Sequence, residues 1–212
     1  MVQPETLRAD EELLEAWRAG DRAAGGELFD RYFESVRRFF VNKTDADVED
    51  LVQQTFLACA KARDRINQGA GFRGYLFGVA RSKLVDSLRV GWRRTESLDP
   101  ETDSIAALGL TPSGVLGGTE EQELLLQALR HLPLDLQIAV ELYYFENVRG
   151  AELNAALGIP PGTVRSRIRR GIEQLRSEIE RLIQAPELRK QTLTTLDAWA
   201  EQVREHWRGG AE

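Results

Sequence analysis

Apolar residues recur at helical spacing through almost all of this 212-residue chain. No run alternates apolar and polar residues for long enough to make a strand. The clearest case is residues 48–59, where Val48, Leu51, Val52, Thr55, Phe56 and Cys59 fall at i, i+3, i+4, i+7, i+8 and i+11. That is one continuous stripe, and such a stripe is stable only when other helices cover it. The spacing therefore predicts an all-α fold. Asp45 is the expected N-cap of this helix, with Asp47, Glu49 and Asp50 in the first turn, where the helix dipole favours anions. Leu13, Leu14 and Trp17 mark an earlier helix over about 9–19, and Leu28, Phe29, Tyr32, Phe33, Val36, Phe39 and Phe40 mark another over about 23–41. A fourth is expected over about 72–92.

Composition changes at residues 96–118, "ESLDPETDSIAALGLTPSGVLGG", which are rich in Pro, Gly, Ser, Thr and acids and only weakly periodic. They read as an acidic linker between two small helical domains, 1–95 and 119–182. Residues 183–212 form a C-terminal extension in which Leu188, Thr192, Leu196, Trp199, Ala200, Val203 and Trp207 share one face of an expected amphipathic helix.

Several function classes drop out on composition. Apolar residues are 42% and charged residues 29% of the chain, a soluble balance, and no run approaches the roughly 18 apolar residues of a membrane span. The polar N-terminus lacks the apolar core of a secretory signal. Cys59 has no partner for an internal disulfide, and with only His131 and His206 beside it no metal-ligand cluster is expected. A cytoplasmic location is the expectation. The net charge of −6 argues against nucleic acid, but its distribution does not. Residues 72–94 carry Arg73, Arg81, Lys83, Arg89, Arg93 and Arg94 against Asp86 alone, and residues 162–176 carry five arginines against Glu173. Seven acids and no base lie between them, over residues 96–123. Two basic islands divided by an acidic stretch suit phosphate binding at two places.

The second island lies in the most informative stretch, residues 151–170, "AELNAALGIPPGTVRSRIRR". A short helix ends at Gly158, a residue suited to the left-handed C′ position. Ile159 staples the turn, and Pro160 or Pro161 opens a second helix where a missing N–H costs little. Thr163 helps to cap it. The result is a helix-turn-helix. Its second helix sends Val164, Ile168 and Ile172 inward and Arg165, Ser166, Arg169 and Arg170 outward, where arginines can fork onto guanine edges or hold phosphates. A solvated basic face on an ordinary helical hairpin is the plainer alternative.

Residues 72–94 interleave bases with aromatics, the combination that tracks a single strand and stacks on its bases. Phe72, Leu76, Phe77, Val79, Ala80, Leu84, Val85 and Leu88 nonetheless read mostly as a core stripe, which leaves Tyr75 and Trp92 freer for DNA. Just upstream, "GAGFRG" at 69–74 is a literal G-x-G-x-x-G. A dinucleotide fingerprint needs a preceding strand inside a βαβ unit, whereas "LACAKARDRI" reads as the end of a helix. The glycines are expected to bend a loop sharply and to let DNA approach the backbone. No nucleophile–base pair or carboxylate dyad is visible, so no catalytic residue, metal or cofactor is assigned, and an enzyme is not expected.

Three motifs in order, "DVEDLVQQTFL" at 47–57, "FRGYLFGVARSKLVDSLR" at 72–89 and "LRHLPLDLQIAVELYYFENVRGAELNAALGIPPGTVRSRIRRGIEQLR" at 129–176, resemble the extracytoplasmic-function (ECF) group of bacterial sigma factors. The resemblance covers roughly residues 9–95 and 119–182. It implies two domains, regions 2 and 4, that bind core RNA polymerase and direct it to promoter DNA. Position by position it implies core polymerase binding by Asp50, Gln53 and Gln54. Helical spacing separately puts these three and Leu57 on the face opposite the core stripe. For the minus-ten element the resemblance implies Asn67 to Gly71 with Gln68 and Phe72 around a flipped base, and Arg81, Lys83, Arg89, Arg93 and Arg94 along the melted strand, beside Tyr75. For the minus-thirty-five element it implies Arg165, Ser166, Arg169 and Arg170, next to Thr163. The acidic linker would lie in polymerase channels that otherwise hold nucleic acid. An anti-sigma factor is a further partner the resemblance admits; the extension at 183–212 has no counterpart in the minimal group, and it either packs on region 4 or regulates the protein in cis or docks a partner. The sequence departs from the group at Gln54, Ser82, Arg149–Gly150 and Asn154. The alternative reading is a helix-turn-helix transcriptional regulator that is not a polymerase subunit, which leaves residues 47–94 without a role.

Overall fold

The computed structural model describes residues 8–66, 71–92, 98–110 and 120–182. Among these there are eight α-helices and no strand; the one β contact is an isolated bridge between Ser104 and Pro133. The helices are α1 (Asp10–Arg18), α2 (Arg22–Val41), α3 (Val48–Ala62), α4 (Gly71–Trp92), α5 (Glu120–Arg130), α6 (Leu134–Tyr144), α7 (Gly150–Leu157) and α8 (Pro161–Leu182), with a 3-10 turn at Arg63–Arg65. The all-α expectation stands, and the helix bounds agree with the periodicity to within a residue or so. The expected C-terminal helix at 183–212 lies outside the described residues.

Local chemistry sets the helix ends. Asp21 caps α2, its side chain accepting from Ala23 N at 2.9 Å and Ala24 N at 3.3 Å. The cap of α3 is Asp47 rather than Asp45: Asp47 Oδ1 accepts from Asp50 N at 3.1 Å, one turn into the helix, a position Asp45 stands too far back to serve. The stripe of α3 is buried as expected, with Leu51, Val52, Thr55, Phe56 and Cys59 inside. Helices α1–α4 close round an aromatic knot in which Trp17 meets Phe29 at 5.3 Å between ring centroids, and Phe29 meets Phe56 at 4.7 Å.

Two features bring the two helical domains and the residues between them together. First, one core runs across both units: Leu134, Ile138, Ala139, Leu142, Val148, Leu153, Ala156, Leu157 and Val164 join the buried residues of α1–α4. A second, smaller core lies among α5, α6 and α8, around Leu125, Leu129, Leu136, Val140, Leu175 and Ile179. Helix α6 sits between the two cores, so Leu134 to Leu142 are all buried, the polar Asp135, Gln137 and Glu141 among them. Second, linker residues 98–110 are folded against the seam. Ile105 is fully buried, Ala106 N donates to Arg130 O at 2.8 Å, and Asp103 O and Pro100 O accept from Leu134 N at 2.9 Å and Asp135 N at 3.0 Å. In this structure these linker residues satisfy the first N–H groups of α6, which a helix terminus otherwise leaves bare.

Candidate nucleic-acid and polymerase interface

Three surfaces carry the residues singled out by sequence. On α3, Asp50, Gln53 and Leu57 are exposed, Leu57 at 52%. Asp50 Oδ2 accepts from Gln54 Nε2 at 2.7 Å, one turn on, so the carboxylate and amide form a fixed polar pair. Phe33, on the adjacent α2, is 43% exposed and stacks on Phe56 with 6.4 Å between ring centroids. Two large apolar side chains showing beside a polar pair are the make-up of a partner surface, an apolar centre with a polar rim. A cleft of about 570 Å³ opens next to it between α3, α4 and the linker, lined by Asp50, Gln54, Lys83, Asp86, Leu108 and others.

Helix α4 is the second surface. Gly71 opens it at φ +66°, in the left-handed region. Asn67, Gln68, Arg93 and Arg94 lie outside the described residues. Phe72 needs correction as a base-capturing ring: it is 1% exposed and wedged among Trp17, Phe29 and Tyr32, because the burial of a phenyl ring in an aromatic knot outweighs its exposure to solvent. Tyr75 is half-buried, and burial raises its phenol above the ordinary value, with Cys59 adding to the rise and Arg65 opposing it. Lys83 is half-buried at the cleft and Arg89 is exposed. Arg81 is not free: its Nη2 is 2.7 Å from Asp135 Oδ1 on α6. Gly74 also corrects the expectation. A Cβ there would stand 2.8 Å from the Cα and O of Glu152, so the backbone that approaches this glycine belongs to α7, not to DNA.

The third surface is the helix-turn-helix of α7 and α8. Gly158 stands at φ 68° and ψ 27°, and its N–H donates to Asn154 O at 2.9 Å, the left-handed close foreseen from sequence. Pro161 begins α8. Thr163, Arg165, Ser166, Arg169 and Arg170 all face solvent, with Ser166 Oγ donating to Thr163 O at 2.9 Å. Arg169 makes a long, fully solvated contact with Glu173 at 4.0 Å, too weak to hold it from a phosphate. Behind this row a groove of about 430 Å³ runs between Tyr143, Tyr144, Ile168 and Ile172, edged by Arg165, Arg169 and Arg176.

Sequence reading missed Arg167, which belongs to the same basic island but is 5% exposed. Its Nη1 lies 2.7 Å from Asp135 Oδ2 and its Nη2 3.1 Å from Glu101 of the linker. The available signal was spacing: position 167 is three after the buried Val164 and four before the buried Gly171. It missed too the polar residues that bind the units together, Lys43 with Glu141, and Arg38 with Glu146 at 3.2 Å. Among the described residues no group of three His, Cys, Asp or Glu could hold a metal ion, and no helix is long and apolar enough to cross a membrane.

Comparison with known proteins agrees with this layout. The family model for Sigma-70 region 2 matches residues 28–101, and that for Sigma-70, region 4 matches residues 122–175. The ECF RNA polymerase sigma factor SigE of Mycolicibacterium smegmatis is 34% identical over 148 residues, which cover 69% of this chain and 56% of that protein. The chain thus spans little more than half the length of that relative. The ECF RNA polymerase sigma-E factors of Salmonella typhimurium and Escherichia coli are 28% identical over 185 residues, covering 82% of this chain and 96% of each of theirs. Among solved structures, CnrH in complex with the cytosolic domain of CnrY is similar with a TM-score of 0.58 over 83% of this chain and 100% of that one; at 22% identity the likeness concerns the fold.

Proposed function

The chain belongs to the sigma-70 family, in its extracytoplasmic-function group, and from that premise we propose that it binds core RNA polymerase and directs promoter-specific initiation. In this reading the α3 face of Asp50, Gln53, Gln54 and Leu57, widened by Phe33, docks on core polymerase. Helix α4 and the segment before it serve the minus-ten element, and the outer face of α8 serves the minus-thirty-five element. The observation that carries the reading is the solvent-facing row Arg165, Ser166, Arg169 and Arg170, on a helix whose entry is fixed by the Gly158 turn. Arginines so placed can read base edges bidentately or hold phosphates. The exposed apolar pair on α2 and α3 supports a protein partner for the other unit.

A polymerase subunit of this kind performs no covalent chemistry of its own, and it works where the chromosome is, in the cytoplasm. One solved relative, CnrH, is complexed with the cytosolic domain of CnrY; an anti-sigma protein engaging this chain is proposed by analogy. Runoff transcription decides the reading. Core polymerase with the purified chain should start at defined promoters, and core alone should not. A chain that shifts promoter fragments in a gel but never confers specific starts on core would be a helix-turn-helix regulator instead.

A further inference from the structure

The groove beside the outer row of α8 has the form of a seat for a helix. It follows α8 from Arg165 to Arg176, about three turns or roughly 16 Å. Ile168 and Ile172, one turn apart and both half-buried, supply one side. Tyr143 and Tyr144 of α6 supply the other, and they meet edge to face with 4.9 Å between ring centroids. Arg165, Arg169 and Arg176 stand along the rim together with Glu173. An apolar floor under a charged rim is the form in which an amphipathic helix is received, through anchors at i, i+3, i+4 and i+7. Leu196, Trp199, Ala200 and Val203 have that spacing.

We propose that the C-terminal extension of this same chain fills the groove, with Leu196, Trp199, Ala200 and Val203 laid into it, and that it thereby withholds α8 from the minus-thirty-five element. The filling follows from the groove and the chain; that promoter DNA is what it withholds rests on the sigma-factor reading. Length and direction both suit it. Helix α8 reaches Leu182, about ten residues or roughly 15 Å beyond Ile172. Pro186 comes soon after, and a proline disfavours helix at the residue before it, which gives the chain a place to turn. A helix over 187–208 is roughly 33 Å long, enough to return antiparallel along α8 past Arg165. In that direction Trp199 comes level with Ile168 and Ile172, and an indole that enters withdraws about 150–250 Å² from water. Charge agrees as well: residues 191–203 carry Asp197 and Glu201 and no base, opposite a rim with three arginines.

Occupancy and DNA binding exclude each other by size. The major groove is about 12 Å wide and admits one α-helix, itself about 10–12 Å across with its side chains. A second helix against Ile168 and Ile172 stands beside Arg165 and Arg169, where the wall of the major groove has to pass. Arginines drawn to Asp197 and Glu201 are also held back from guanine edges and phosphates. The groove is built from α6 and α8 alone, so filling it calls for no movement of α1–α4.

Two single variants of the full chain and their combination test the seat. Trp199→Gln withdraws the anchor, and Ile172→Gln spoils the floor without adding charge. Each should tighten binding to a duplex carrying the minus-thirty-five element about tenfold, because affinity is reduced by the fraction of chain in the competent form. The double variant should gain no more than either single, since both remove one contact. Fluorine NMR of fluorotryptophan-labelled chain reads the filling directly. The resonance that Trp199→Gln removes should come from an indole shielded from solvent, and Ile172→Gln should move it to the solvent-exposed position. Ile172 also packs on the smaller core, so Trp199→Gln decides the matter if Ile172→Gln fails to fold. A Trp199→Gln chain that binds the duplex no more tightly than the parent overturns the proposal, as does a parent whose Trp199 resonance is already solvent-exposed. Masking that vanishes on dilution, in step with dissociation of a dimer in sedimentation, puts a second copy in the groove and overturns it too. Failure of every chain, variants included, to bind promoter duplex would instead refute the sigma-factor reading, and the Trp199 resonance would still decide whether the groove is filled.

Discussion

Replacing Lys43 with methionine strands a carboxylate in the seam. Lys43 is 0% exposed; its ammonium donates to Glu141 and, at 2.6 Å, to Phe39 O, and lies 4.5 Å from the centroid of the Phe39 ring. Glu141 is 4% exposed, and in the variant it keeps the Gln137 Nε2 donor at 2.8 Å but loses its counter-ion. Removing one half of a buried ion pair costs about 3–5 kcal/mol, whereas replacing both halves with apolar residues of similar volume is often neutral or stabilising. Lys43→Met should therefore lose about 3 kcal/mol or more, and Lys43→Met with Glu141→Leu should come within about 1 kcal/mol of the parent. Because the pair spans two units, the strain has a second outlet, since the units can separate and return Glu141 to water. The loss seen on unfolding then stops at the free energy of the seam. Urea titration in a background with Trp92, Trp199 and Trp207 replaced by phenylalanine, read by the fluorescence of Trp17 in the aromatic knot and by far-ultraviolet circular dichroism, separates the two routes. A single variant that costs under about 1 kcal/mol by both signals would refute the argument. So would a double variant that costs the sum of the two singles, because additivity means that the pair does not interact.

Arg165→Ala should relax selectivity at one base of the minus-thirty-five element by roughly 1–3 kcal/mol; equal weakening on every sequence, measured by competition with base-substituted promoters, would make Arg165 a phosphate contact. Asp50→Ala should weaken binding to core polymerase by on the order of 1 kcal/mol or more, as a residue within a partner surface does, while helicity stays unchanged; normal assembly with core would remove α3 from that surface. Cys59 should resist alkylation in the folded chain at pH 8 and react in urea, and rapid labelling without denaturant would contradict its burial. Its thiol rises from 9.0 unfolded to about 12 folded through burial, so the proton is held more tightly in the folded chain. That contribution is complete below pH 9 and is lost as the pH climbs from 9 towards 12, and Cys59→Ala should flatten this part of the stability profile.

What could be read from the sequence was whatever depends on neighbours a few residues away. The α3 stripe, the Gly158 turn, the Pro161 start and the outward row on α8 follow from spacing and backbone preference alone. Spacing failed where one chemistry serves two purposes. Arg167 lies in the same basic run as Arg165 and Arg169, and the carboxylates of Asp135, 32 residues upstream, and of Glu101, 66 residues upstream, hold it inward. Phe72 fitted both a core stripe and a stacking ring, and the knot of Trp17, Phe29 and Tyr32 claims it. In "LDLQIAVEL" the three polar side chains would ordinarily seek water, yet all nine residues from Leu134 to Leu142 are buried, because Lys43 and Arg81 arrive from the other unit to meet Glu141 and Asp135. Residues 98–110 looked structureless because backbone bonds to Arg130, Leu134 and Asp135 hold them, and such bonds leave no periodic trace. "GAGFRG" shows the limit most plainly: Gly74 is required by the Glu152 backbone of α7, about 80 residues further along the chain. The Phe72 knot and the Arg167–Asp135 pair lie within one unit each, whereas the partners of Glu141 and the close approach at Gly74 lie on the seam between the units. Those seam contacts are the ones that separation would break, while most of each unit's own helices rest on signals its sequence already carries. A chain built in that way can exchange its inter-unit contacts for those of a larger partner and keep each unit folded.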